Sequence, residues 1–321
     1  MAQVAPLFST NAADRTECYN LIAFGSQNCC VYCDSFPRED GRYQLTQLFD
    51  SSDRLSCEWC DKERGVCKQA RDAAGDLAAH LKADGFDMTV VGLPKTVDND
   101  IRPIRQSLGA LTAAQVGARF FDHVSNEQSA TPNTFVVHEV MGRHCGWLTA
   151  ATLRAYNERI EGRTYCEGLM MNHALKDVEA VYVPEMPFDI ESETERLSRA
   201  MRDTGYATIF VSEGACVDEI MSEREAGGET LERDAFGHVR LDSVNVGDWF
   251  ARRFAKAIGA DKTLVQKSGY YARSAPANPD DLHLIKGMAD HAVTSALEGV
   301  SGVVGHDEDH GLGGRGRSCW M

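Results

Sequence analysis

The sequence predicts an α/β protein, with parallel strands covered on both faces by helices. Three observations predict it. Short, β-branched apolar runs alternate with longer amphipathic segments from Met88 to Leu297. Turn residues punctuate the alternation, as Gly92 and Pro94 do after the first clear run. The chemically capable residues stand directly after such runs: Lys95 to Asp100, Met141 to Arg143, Glu213, and Tyr270 to Arg273. A parallel sheet collects its strand ends along one edge, so segments far apart in sequence meet there.

In chain order, residues 1–66 read as a zone of their own, with only weak strand and helix signals at Leu21 to Phe24 and Tyr43 to Phe49. Lys68 to Asp84 reads as an amphipathic helix, with Ala73, Leu77, Ala78 and Leu81 at helical spacing. Met88 to Val91 is a buried strand, and Ser107 to Ser125 a helix with an apolar face from Leu108 to Phe121. Thr134 to Val140 (TFVVHEV) is a buried strand, and a helix is expected from near His144. His138 is expected to pack within that strand. The remaining strands are expected at Ala180 to Val183, Ala207 to Ser212 and Thr263 to Gln266, and the helices at Glu191 to Arg202, Val246 to Ile258 and Asp280 to Leu297. Ser268 to Asn278 reads as a loop.

The densest chemistry lies in TVVGLPKTVDND, Thr89 to Asp100. In extended backbone Asp98 and Asp100, two residues apart, point to one side. Two neighbouring carboxylates repel, which raises the pKa of one or draws in a shared cation such as Mg2+. One can then act as a general base while Lys95 offers charge to a polyanion. At Met141-Gly142-Arg143 the strand turns toward a helix; Gly142 lets backbone approach a ligand, and the Arg143 fork suits phosphate.

The chain has 321 residues, 43% hydrophobic and 25% charged, with a net charge of −15 spread along its length. That balance argues against nucleic acid and anionic membranes as partners. Neither a membrane-length apolar run nor a signal-peptide pattern stands in the sequence, so the cytoplasm is the expected compartment. Seven of the eleven cysteines fall at Cys18, Cys29, Cys30, Cys33, Cys57, Cys60 and Cys67. The pairs Cys30/Cys33 and Cys57/Cys60 have knuckle spacing for zinc, although the gap between them is long and the knuckles lack glycine. An irregular cysteine-rich segment is the alternative.

PKTVDND, at Pro94 to Asp100, resembles the PKTIDND motif of the phosphofructokinase family in its pyrophosphate-dependent branch. HEVMGRHCGWLTA, TIFVSEGA and SGYYARSAPAN resemble further motifs of that family, in family order, and the likeness runs over roughly residues 68–310. The resemblance implies two Rossmann-like lobes, the N-terminal lobe incomplete, and transfer of a phosphoryl group from pyrophosphate to the 1-hydroxyl of fructose 6-phosphate with Mg2+. It implies that Asp98 is the base and that Lys95 stabilises the transferring group and excludes ATP. Thr96, Val97, Asp98, Met141, Gly142, Arg143, Glu213, Tyr270, Tyr271, Ala272 and Arg273 would bind the sugar phosphate, and Asp100 the metal. A homodimer is the expected assembly.

The expected division is a divergent cysteine-rich segment over residues 1–66, a phosphofructokinase-like domain over 67–310 and a divergent Gly/Arg tail over 311–321. The family's Gly-rich donor loops have no counterpart: residues 1–66 contain no GG pair, and GVCKQARDAAGDLAAHL stands where a GGDD-type loop is expected. Asn133 and Thr134 stand where an arginine reaching a neighbouring subunit is common. A truncated or mis-spliced product is one expectation from these departures. Two other functions stay open beside the first: a sugar-phosphate-binding remnant or subunit partner without turnover, and an ATP-dependent 6-phosphofructokinase.

Overall fold

The computed structural model describes residues 19–24, 88–101, 104–128, 130–166, 173–228, 244–305 and 318–320, with Ala83 and Gly85. The paired CxxC units, the Lys68 to Asp84 helix apart from Ala83, the Tyr43 to Phe49 signal and the GVCKQARD segment lie outside the described residues.

Two four-stranded sheets organise the described residues. The first holds β1 (Tyr19–Phe24), β2 (Met88–Leu93), β7 (Gly302–Gly305) and β8 (Ser318–Trp320), in that order. Its first three strands are parallel, as expected, and β8 adds an antiparallel edge beside β7. The second sheet is wholly parallel, in the order β4 (Ala180–Tyr182), β5 (Tyr206–Ser212), β3 (Thr134–Val140), β6 (Lys262–Lys267). The chain winds outward from β3 and back to β5, then crosses to the other side of β3 to form β6. That reversal opens a crevice beyond the carboxyl ends of β3, β5 and β6.

Sequence pattern follows position in the sheet. All seven residues of central β3 are buried, Phe135, Val136, Val137 and Val140 together with the polar Thr134, His138 and Glu139, whereas edge strand β6 (KTLVQK) carries lysines at both ends and stays partly exposed. Helices α1 (Ala110–Gln128) and α2 (Trp147–Ile160) cover one face; Phe121, Tyr156, Val136 and Phe210 fill the layer between. Helices α3 (Ile190–Thr204) and α5 (Val246–Phe254) cover the other, over Leu197, Ile209, Phe250 and Phe254. Each such buried side chain contributes about 1.5–3 kcal/mol. Helix α4 (Val217–Ala226), which no apolar period announces, follows β5.

Helix α7 (Pro279–Leu297) packs Met288 and Ala292 on Val91 and Leu93 of the first sheet. Its fully buried Asp281 reaches the second layer system. The carboxylate accepts from Gly109 N at 3.0 Å, Thr112 N at 2.7 Å and Thr112 Oγ1, capping the start of α1. Asp281→Ala therefore leaves buried donors without a partner and is expected to lower stability by about 3 kcal/mol. A thermal melt checks this; an unshifted midpoint rejects the capping role.

Two local expectations need correction. The helix after β3 begins at Trp147, so His144 lies in the preceding turn, not at the helix start; Gly146, its N–H held by the Glu185 carboxylate at 2.8 Å, is the N-cap, and its carbonyl accepts the first helical hydrogen bond from Ala150 N. The expected loop from Ser268 contains a short helix, α6 (Gly269–Arg273), which buries Ala272 against the α1–α2 layer.

Candidate active site

The first wall is the turn after β2. Asn99 adopts φ 55, a left-handed conformation that asparagine tolerates. Its amide oxygen accepts from Ser107 N at 2.7 Å and Ser107 Oγ at 2.9 Å, and its Nδ2 donates to Arg105 O at 3.1 Å. Ser107 Oγ also bonds Thr96 O at 2.7 Å. These ties bend the chain, so Asp98 and Asp100 do not share a side as extended backbone would require. Asp98 is buried, 2% exposed, while Asp100 faces solvent. Ser107 was not among the expected site residues; only its distance in space from Asn99, not its distance in sequence, reveals it.

The second wall is the corner between β3 and β5. Gly142 has φ 140, and a Cβ there would meet Cys145 O and come within 2.8 Å of Ser212 Oγ. Ser212 Oγ donates to Gly142 O at 2.6 Å and Gly214 N to the same oxygen at 3.1 Å. A Cβ on Gly214 would collide with the carbonyl of Arg143. The strand ends are thus pressed backbone to backbone. Glu213 turns its carboxylate toward Gly142, whose N–H lies 3.4 Å from Oε1.

The third wall is α6. Arg273 is exposed and sits close enough to act electrostatically on both Lys95 and Asp98. Ala272 is buried, and Tyr271 lies against Phe120 with ring centroids 5.6 Å apart. Tyr270 is 88% exposed. Val97 and Met141 pack on the α1–α2 core, and Thr96 is buried with its Oγ1 3.2 Å from Asp98 N.

The charges respond to this enclosure. Burial first, then Asp100, pushes Asp98 up to about 6, while Arg273, the Arg143 backbone N–H and the Arg143 guanidinium pull it down. Asp98 Oδ1 is buried without a hydrogen-bond partner. Burial raises Glu213 to about 7, helped by Asp98 and Glu139 and opposed by Gly142 and Arg143. Partial loss of water and the nearby Arg273 lower Lys95. Two perturbed acids thus stand within electrostatic reach of Arg143, and Asp98 also of Arg273, which in turn neighbours Lys95, a set suited to a phosphorylated ligand that brings a proton to be moved.

The sequence profile of the phosphofructokinase family matches residues 69–296. The chain belongs to the phosphofructokinase family. Its relatives include pyrophosphate–fructose 6-phosphate 1-phosphotransferases of Mastigamoeba balamuthi and Methylomonas methanica, each 53% identical over 74% of this chain. The chain spans 58% of the length of either relative. Among solved structures, the pyrophosphate-dependent phosphofructokinase of Marinobacter aquaeolei superposes with a TM-score of 0.54 at 25% identity, over 73% of this chain and 51% of that one. The phosphofructokinase likeness expected from PKTVDND and MGR is thereby established, and the parallel α/β architecture agrees with it. No helix among the described residues is long and apolar enough to cross a membrane. Among the described residues no group of three His, Cys, Asp or Glu gathers as a metal cage. Asp98, with its free oxygen, and exposed Asp100 fit the one or two carboxylates by which Mg2+ is usually held together with phosphate oxygens.

Proposed function

We propose that this phosphofructokinase chain moves a phosphoryl group from pyrophosphate to the 1-hydroxyl of fructose 6-phosphate. The observation that carries the reading is Asp98: a buried carboxyl with an unpartnered oxygen, close to Arg143 and Arg273. Asp98 takes the 1-hydroxyl proton as that oxygen bonds to a pyrophosphate phosphorus. The bridging P–O bond breaks, giving fructose 1,6-bisphosphate and inorganic phosphate. Lys95 offsets charge on the transferring group. Arg143, Tyr270 and Arg273 hold the sugar phosphate, with Tyr270 closing from its exposed position. Glu213 takes hydrogen bonds from sugar hydroxyls, Thr96 and Met141 contact the sugar, and Val97, Gly142, Tyr271 and Ala272 shape the walls. Mg2+ held at Asp100 would supply further charge neutralisation on the phosphates. A homodimer in the cytoplasm completes the proposal, the dimer being checked by light scattering.

A coupled assay on the purified chain with pyrophosphate and, separately, ATP tests this. Turnover with pyrophosphate and none with ATP is expected; the reverse preference overturns the donor assignment. Lys95→Gly is expected to lower kcat/KM with pyrophosphate about a hundredfold. An unchanged value rejects the role of Lys95. The sequence GVCKQARDAAGDLAAHL, with no GGDD-type loop, favours a second reading: fructose 6-phosphate binding without turnover. Measurable binding alongside silence with both donors would select it.

A further inference from the structure

Helix α6 is five residues long and has no side-chain cap of its own, yet it carries Arg273 to the acids. Something outside it must hold it. Ser268, immediately before it, is 1% exposed and is tied at three points. Its N–H donates to Glu139 O at 3.3 Å, its carbonyl accepts from Ala272 N at 2.8 Å, and its Oγ lies 2.9 Å from His138 Nε2.

His138 is an unusual occupant for the middle of a buried strand. It is fully buried and its ring is stacked 5.0 Å from Phe121 and set edge-on 4.6 Å from Phe210. Phe120, 5.8 Å from the same ring, in turn contacts Tyr271 of α6. Burial holds the imidazole down to about 3, so it is neutral throughout the working range. Its Nδ1 finds no partner, and leaving a buried ring nitrogen unpaired costs about 1–3 kcal/mol. An apolar residue at this position would avoid that cost. The feature that only a polar ring supplies here is the bond to Ser268.

We propose that His138 is a positioning residue: through Ser268 it sets the start of α6 and so the placement of Arg273 against the phosphorylated ligand. The bond forms in either tautomer, because a serine hydroxyl both donates and accepts. The role rests on the reading of Arg273 as a sugar-phosphate contact, and the test separates the two. His138→Phe keeps the aromatic stack and removes the bond; Ser268→Ala removes it from the other side. Two measurements are made on the full chain: amide hydrogen exchange over residues 269–274 without ligand, and fructose 6-phosphate kinetics and binding.

Exchange in α6 is expected to quicken at least about tenfold in both variants. KM for fructose 6-phosphate is expected to rise about tenfold with kcat within about threefold of wild type. The double variant should be no worse than either single, since both remove one bond. His138→Gln, which can reach Ser268 with an amide, should restore part of the loss. Unchanged α6 exchange in a folded His138→Phe protein overturns the positioning role, as does full additivity in the double variant. Faster exchange with unchanged fructose 6-phosphate affinity overturns the link to Arg273. If the wild-type chain itself neither binds nor turns over fructose 6-phosphate, the proposed function fails, while the exchange result still decides whether His138 holds α6.

Discussion

Asp98→Asn is expected to lower pyrophosphate-dependent phosphoryl transfer by about 10²–10⁴, the range for removing a general base. Asparagine keeps the shape and can still accept the Arg143 backbone hydrogen bond, so binding of fructose 6-phosphate should change far less than kcat. In the wild type, kcat/KM should climb as pH rises through about 6, where Asp98 loses its proton. Glu213, pushed up to about 7, adds a second inflection if its charged form holds the sugar. The same shifts have a sign for stability. Both carboxyls keep their protons to higher pH in the fold than in the unfolded chain. Their stabilising contribution is therefore full below the ordinary carboxylate range and is lost as pH rises through about 6 and 7. Asp98→Asn removes one of these losses, so the ligand-free variant should be more stable than wild type at about pH 8, on the order of 2 kcal/mol. Activity measured across pH and thermal melts at two pH values check both halves. An Asn variant that retains wild-type kcat sinks the assignment of the base.

Gly214→Ala should be the most damaging single methyl in the site. The added carbon would overlap the Arg143 carbonyl, which is backbone and cannot rotate away. Either β3 and β5 separate at their ends or the Arg143 peptide turns. The first breaks the Gly214 N to Gly142 O bond, and the second moves the guanidinium and the N–H that faces Asp98. Overpacking of this kind costs about 3 kcal/mol or more when the neighbour is rigid. Fructose 6-phosphate affinity is expected to fall at least about tenfold in whatever fraction folds. Thermal unfolding and calorimetric titration read the two effects. A variant with the wild-type midpoint would show that the corner yields more easily than its backbone contacts imply.

Much of the architecture was legible in the residues. TFVVHEV forms the strand Thr134–Val140 at the boundaries the sequence suggests, because a strand buried on both faces is rich in apolar residues such as Phe135, Val136, Val137 and Val140; the polar Thr134, His138 and Glu139 are buried with them. The amphipathic periods place α3 and α7 within a residue or two, with Asp189 and Asn278 as caps. Helix α4 escaped notice because VDEIMSEREA buries only Ile220 and so carries almost no apolar period. Helix α6 is not legible in the sequence because GYYAR is short, opens on glycine and is flanked by Ser268 and Ser274; it is held by Ser268 and by Ala272 against the core, not by propensity. Residue type and spacing alone do not distinguish Asp98 from Asp100; only the family resemblance separates their roles. The Asn99 to Ser107 hydrogen bonds separate them, burying one and exposing the other.

The amino-acid sequence by itself determined which segments become strands and helices, and which reactive residues stand at the strand ends, because periodicity and turn chemistry act between near neighbours. Only the tertiary structure decided which acid is buried and perturbed, how tightly Gly214 meets Arg143, and that His138 reaches Ser268. Those properties depend on lost water and on contacts between residues far apart in the chain, 70 positions for Gly142 and Ser212 and 130 for His138 and Ser268. No local pattern carries that information, since it arises when the strands align side by side and bring their ends to one edge.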